Sequence, residues 1–380
     1  MSLEWTGGPT MDLRVDFQDG TLEFEGDGDR LVSAWNGPPD SPPGELRDRV
    51  RLAFDTPIEF PPLRHVVVPG DRVVVPFDRT LPDADVILGV MVEVLGEIGV
   101  ESITAIVDGR TIGPSLAGVE GVTVVVHDPT DRESLAYLAN TEAGRRIYLN
   151  RLIADADCVI PIGRLGYGAG DRYLGPWSVI EPGLADTAAK GESLVTPGRS
   201  TDLALAESSE VSWLLGSHFQ VAGLPGRTGL LRIIAGEAKA VQATGRPLLD
   251  DAWRFQVEDR ADLVIAGVGG PGRSVIASGF ADALRTGLRL VRRGGKLVLL
   301  SKLDLGTIRE AIRVPGQPRD DWDKALAWAD IYLASEANAD SVDDLGIIPI
   351  DRPEQAVKLA RASASYITVG QVDRTLASVD

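Results

Sequence analysis

The stretch "DRVVVPFDRTLPDADVILGVMVEVLGEIGVESITAIVDG", Asp71 to Gly109, carries the fold. Its opening run "DRVVVPF" (71–77) is continuously apolar and β-branched, which is the pattern of a strand buried on both faces. Over 83–100 the apolar positions recur at three and four residues, predicting a helix, and "SITAIVDG" (102–109) predicts a second strand. A strand, a helix and a strand of these lengths make a parallel crossover unit.

Further strands are expected at "GVTVVVHD" (121–128) and "ADCVIPIG" (156–163). Upstream, "LRVDF" and "TLEFEG" flank the turn "QDG" and predict a leading hairpin between Leu13 and Ala34. The Pro/Gly-rich "NGPPDSPPG" (36–44) follows as a connector, and "ELRDRVRLAFDTP" as a helix. A second series predicts a strand at 261–272 ending in glycines, a helix at 274–291, a strand at 294–302, a helix at 320–335, a strand at 345–350 and a helix at 352–364. The expected architecture is α/β, with two domains of largely parallel sheet, residues 1–252 and 253–380.

Composition narrows the function classes. The chain has 380 residues, 44% of them hydrophobic, and a net charge of −18. Such a field repels nucleic acid and anionic membranes, but arginines in a local loop can still attract a small anion. The N-terminus lacks a signal-peptide pattern and no apolar run reaches membrane-spanning length, so a cytoplasmic protein is expected. Cys158 is the single cysteine and the histidines are His65, His127 and His218, with no metal-binding spacing, so no residue is assigned to a metal. His127 at a strand end reads as structural, and His218 in an apolar segment as a core residue. Homo-oligomer formation stays open.

Ligands of open parallel sheets sit beyond the carboxyl ends of the strands. Four loops there contain arginine: "FDRTLPD" (77–83), "VDGRTIG" (107–113), "GRLGYGAGDRYLGPW" (163–177) and "VGGPGRS" (268–274). In the first, Asp78, Arg79 and Thr80 read as turn and cap formers or as ligand contacts, with Asp83 as a helix cap. In the second, Asp108 and Arg110 divide equally between turn and site. The third offers glycines for close backbone approach, forked donors at Arg164 and Arg172, and flat faces at Tyr167, Tyr173 and Trp177. It matches neither the P-loop nor the dinucleotide fingerprint. The fourth reads as a structural turn.

The segment order from about Asp48 to Leu300, including "DADCVIPIGRLGYGAG", "GPWSVIEPGLADT", "SWLLGSHFQVAGLPGRTGLLRIIAGE" and "ADLVIAGVGGPG", resembles the lactate racemase family. The resemblance implies a site in a cleft between two α/β domains. It also implies a nickel-pincer nucleotide tethered to lysine, a histidine on nickel, and two histidines that deprotonate a 2-hydroxy acid. The family's first loop, Asp–x–Thr–Arg–Pro, matches at Asp78, Thr80 and Pro82, with Leu81 at the arginine and Arg79 beside it. Thr111 and Ile112 stand at the histidine and arginine of the second loop. Gly166 or Tyr167 stands at the next histidine, Trp177 at the tethering lysine, and Glu192 near the nickel histidine. Ser278, Gly279 and Asp282 replace a Tyr–Gln pair and a lysine in the second domain.

The expected protein is a divergent relative that binds a small anionic metabolite in the cleft between its domains, with no cofactor and no pincer racemisation. Tyr167, Glu192 and Asp108 are its catalytic candidates. Asp78, Arg79, Thr80, Arg110, Thr111, Arg172 and Trp177 are its binding candidates. One alternative is an isomerase, a 2-hydroxy-acid racemase or epimerase holding the nickel-pincer nucleotide non-covalently. A further alternative is a non-catalytic scaffold subunit.

Overall fold

The structure is a computed structural model that describes residues 9–40, 44–109, 111, 113, 116, 118–142, 144–168, 171–186, 201–271, 273, 275–313 and 319–380. The chain divides into two compact units, residues 39–251, and residues 1–38 together with 252–380.

In the unit of residues 39–251, four parallel strands lie in the order Thr123–His127, Ser102–Asp108, Arg72–Pro76, Cys158–Val159. The helix Ala84–Ile98 makes the expected crossover and buries Ile87, Leu88, Met91 and Leu95 in one core with Val73, Val75 and Ala105. The opposite face of the sheet is covered by the hairpin Leu135–Asn140/Arg146–Asn150 and the helices Pro176–Ile180 and Thr201–Leu214, through Ile147, Leu149, Ile180 and Val211.

The strand expected over 156–163 is two strands. Cys158–Val159 pairs with Arg72–Pro76, whereas Ile162–Arg164 pairs in parallel with Phe219–Pro225, which continues antiparallel to Leu230–Glu237. Between them stands Pro161, which has no N–H for a ladder, so the chain changes partner there. A bridge from Phe77 to Ile162 keeps the two segments side by side.

The other unit holds a six-stranded parallel sheet in the order Ile348–Pro349, Asp330–Ala334, Val291–Leu300, Ala261–Gly267, Tyr366–Val369, Leu31–Trp35. Residues 1–38, expected in the first domain, therefore belong here. The leading hairpin Thr10–Phe17/Gly20–Asp27 lays Leu13, Val15, Phe17 and Leu22 on Leu263, Ile265, Val298 and Leu300. It is pinned by buried Asp16, whose carboxylate accepts from Arg14 Nε (2.8 Å), Thr21 Oγ1 (2.9 Å) and Asn36 Nδ2 (2.8 Å). The helix expected over 320–335 stops at Trp328, and Asp330–Ala334 is a central strand, because "IYLA" is buried between two neighbours in the sheet.

Candidate functional site

The strand order of the first unit runs outward from Arg72–Pro76 to Ser102–Asp108 and Thr123–His127, then returns to Cys158–Val159 on the other side. This reversal is a topological switch point, and the crevice beyond the carboxyl ends of its strands is where α/β sheets hold ligands. Loop 77–83 and residues 160–165 meet there. Asp78 N–H donates to the Ile162 carbonyl (3.0 Å), and the Asp78 carboxylate lies 3.7 Å from Arg164 Nε. Both side chains keep under a fifth of their surface exposed, and Arg164 Nε makes no hydrogen bond. The Arg164 guanidinium lies over Gly166, where an added Cβ would approach Nη1 to 2.5 Å.

Asp78 also accepts from Thr80 N–H (2.9 Å) and Thr80 Oγ1 (2.6 Å), a local turn made by its other oxygen. Arg79 reaches the second loop: its Nε donates to Thr111 Oγ1 (3.3 Å) and its Nη2 to the Thr111 carbonyl. Thr111 in turn donates to the Asp108 carbonyl, 2.8 Å from Oγ1. Asp78, Arg79, Thr80, Asp108 and Thr111 thus gather on two adjacent strand ends. Arg110 and Glu192 lie outside the described residues.

Asp83 does not cap its helix. It sits in the left-handed region with φ of 55°, and its carboxylate accepts from Leu230 N–H at 3.0 Å. The N-terminal amides of the 15-residue helix behind loop 77–83 therefore lack a side-chain cap.

The glycine loop is a small hairpin, Gly166–Gly168 paired with Arg172–Leu174. Its aromatic residues face helix Ala238–Trp253 of the same unit: Tyr167 Oη donates to Asp250, and Tyr173 Oη lies 3.5 Å from the Gln242 carbonyl. Burial pushes the Tyr173 phenol above its usual range. Arg172 stands opposite Gly168 on the same hairpin. Trp177 is 2% exposed, its ring 5.2 Å from that of Tyr173, and its indole Nε1 makes no hydrogen bond. Gly163 lets the loop close, since a Cβ there would come within 2.7 Å of the Pro176 backbone.

His127 is buried, with Nε2 3.0 Å from the Ala185 carbonyl and Nδ1 3.3 Å from Asn150 Nδ2, as a structural residue. His218, expected in the core, is exposed, because it sits between a helix end and a strand start. Cys158 is half-buried, and desolvation pushes its thiol up to about 11, which keeps it protonated. In the other unit Ser278, Gly279 and Asp282 lie on the first turns of helix Ala277–Leu290, with Asp282 paired to Arg285.

Two residues of consequence escaped the sequence reading. In the sequence Arg164 is one forked donor among several in its loop, and Glu181 carries no motif signal. The motif "IEPG" put Glu181 before Pro182, where a carboxylate usually sits in solvent. In the structure it is 4% exposed, and burial raises its carboxyl to about 6 even though Arg145 lies beside it.

Residues 17–189 match the lactate racemase N-terminal domain. No curated protein sequence matches the chain. Among solved structures, the lactate racemase apoprotein from Thermoanaerobacterium thermosaccharolyticum aligns with a TM-score of 0.75 at 16% identity, over 97% of this chain and 100% of that one. This chain is lactate-racemase-like. A protein from Thermotoga maritima aligns with a TM-score of 0.61 at 11% identity, over 84% of this chain and 96% of that one. At these identities the solved structures speak for the fold alone.

Within this lactate-racemase-like fold, the residues at the positions where the resemblance implies the tethering lysine, the substrate arginine and a catalytic histidine are Trp177, Leu81 and Thr111. Trp177 has no amine and is packed between Gly175 and Tyr173. Leu81 is 1% exposed in the apolar core, against Gly223. Thr111 is held by Arg79. Among the described residues no group of three or more His, Cys, Asp or Glu is arranged to hold a metal ion, and none of their helices is long and apolar enough to cross a membrane. Trp177, at the position where the resemblance implies the tethering lysine, offers no amine to a tethered group.

Proposed function

We propose that the lactate-racemase-like unit of residues 39–251 binds a small anionic metabolite at the switch-point crevice and does not run nickel-pincer racemisation. The observation that carries this reading is Arg164. Its guanidinium sits at the carboxyl end of a parallel strand, 3.7 Å from Asp78, with an Nε that makes no hydrogen bond. A carboxylate or phosphate monoester completes such a fork, and the uncapped helix Ala84–Ile98 adds a favourable dipole. The engaged state of Leu81, Thr111 and Trp177 speaks against the family's chemistry, since a general base alone contributes about 10²–10⁴-fold.

Thermal unfolding with a panel of 2-hydroxy acids, dicarboxylates and phosphate monoesters tests it. A ligand at 100 times its Kd stabilises by about 2.7 kcal/mol. The expected result is a concentration-dependent rise in Tm that Arg164→Gln removes while the variant stays folded. A rise that survives Arg164→Gln would place the anion elsewhere. Near-stoichiometric nickel and cofactor absorbance, after co-expression with pincer-synthesis enzymes, would overturn the reading in favour of a racemase or epimerase. No response to any anion, with no cofactor, would favour a scaffold subunit.

A further inference from the structure

Glu181 and Arg145 form an ion pair that is only half satisfied. Glu181 follows the short helix Pro176–Ile180, and its side chain is 5% exposed. Arg145, in the turn of the hairpin Leu135–Asn140/Arg146–Asn150, places Nη2 3.0 Å from Glu181 Oε1 and 3.8 Å from Glu207 Oε2. Glu181 Oε2 and Arg145 Nη1 are both buried and make no hydrogen bond. Ser208 Oγ, on helix Thr201–Leu214, donates to the Glu181 carbonyl at 2.7 Å. Three elements therefore meet at Glu181: the hairpin turn through Arg145 on its carboxylate, helix Thr201–Leu214 through Ser208 on its main-chain carbonyl, and the short helix that it ends.

Among the described residues, the charged groups that face Glu181 are Arg145 from the hairpin, Asp186 from the chain after the short helix, and Glu207 from helix Thr201–Leu214. Two of the three are negative. Burying a carboxylate costs several kcal/mol unless its partners complete the cage. Here one oxygen accepts no hydrogen bond, and protonation removes the buried negative charge that lies among Asp186 and Glu207.

We propose that Glu181 is a proton-operated latch on the helix Pro176–Ile180. Protonated, it stays seated between the hairpin and helix Thr201–Leu214; ionised, it favours opening of that seat. The helix is short enough to carry the effect to the ligand site: Glu181 N–H donates to the Trp177 carbonyl at 3.1 Å, and Pro176 closes on Gly163. The latch's bearing on ligand binding rests on the proposed function. The opening itself is measured without ligand.

The sign follows from linkage. The folded-state carboxyl titrates at about 6, above its ordinary value of 4.5, so its stabilising contribution is complete below pH 4.5 and is lost as pH rises through 6. The test is hydrogen exchange of residues 176–186 in the ligand-free full chain between pH 4.5 and 8, corrected for the chemical rate. Protection should fall as pH rises through 6, by up to about 30-fold, the ratio that this difference in titration allows.

Glu181→Gln should flatten the profile. Arg145→Gln should move the midpoint upward, and Glu207→Gln should move it downward, which keeps the test decisive if Glu181→Gln fails to fold. Protection in the wild type that does not change with pH overturns the latch, as does an unchanged profile in Glu181→Gln or a midpoint that ignores both neighbouring variants. Failure of the anion panel with these profiles intact would remove the proposed function and leave the latch standing.

Discussion

Leu81 shows how a single position commits a site to new surroundings. It stands where the family resemblance places a substrate arginine, yet it is buried against Gly223, where an added Cβ would lie 2.6 Å from a leucine methyl. Leu81→Arg is therefore expected to bury an unpaired charge and to destabilise the unit by about 3–5 kcal/mol, read from denaturant unfolding, without conferring racemase activity. Asp16 is the counterpart in the other unit. Burial pushes its carboxyl up, but hydrogen bonds from Thr21, Asn36 and Arg14 outweigh this and leave it below its ordinary value. Its stabilising contribution is thus present above pH 3.8 and lost as pH falls through the lower folded value. Asp16→Ala should cost about 2–4 kcal/mol near neutrality, and Asp16→Asn should reduce the acid dependence of unfolding between pH 2 and 5. Neither role was legible in the sequence: Leu81 meets Gly223 from far along the chain, and Asp16 gains its set of donors only when the hairpin closes and Asn36 folds back on it.

At the scale of elements, periodicity foretold the crossover unit well: the strand, helix and strand of 71–109 form within a residue or two of their expected ends. It failed at Pro161, where one apolar run serves two strands with different partners. It failed again at 330–334, where a short apolar run continues a helical pattern and only neighbouring strands make it a strand. The glycine loop depends on such an element-level contact. Gly163→Ala would drive a Cβ to within 2.7 Å of the Pro176 backbone. The expected cost is about 1–3 kcal/mol, or roughly 2–4 °C in Tm per kcal/mol for a unit of this size, with weakened anion response. Calorimetry with and without the best anion of the panel measures both.

For the whole molecule, the distribution of cores makes a prediction about fragments. Residues 39–251 contain their own apolar clusters, around Val75 and Leu88 on one face of the sheet and Ile106 and Leu149 on the other. That fragment is expected to fold, with a cooperative thermal transition. Residues 252–380 alone would leave Leu263, Ile265, Val298 and Leu300 without the hairpin that covers them. Four such side chains lose about 1.5–3 kcal/mol each when uncovered, which rivals the 5–15 kcal/mol stability of a whole domain. That fragment should aggregate or bind dyes of exposed apolar surface, and adding residues 1–38 as a separate chain should restore order. An ordered 252–380 fragment would show that the hairpin is dispensable.

The sequence by itself determined the α/β class, the crossover unit, the leading hairpin and the loops that carry arginine, since these follow from local periodicity and turn chemistry. Only the tertiary structure decided which unit the hairpin joins, where the apolar run breaks at Pro161, and which donors are left at the switch point. It also decided that Glu181 is buried and His218 exposed. The physical reason is the same throughout. Strand and helix formation is written in residues a few positions apart, whereas burial, ion pairing and sheet order arise between residues brought together from far along the chain.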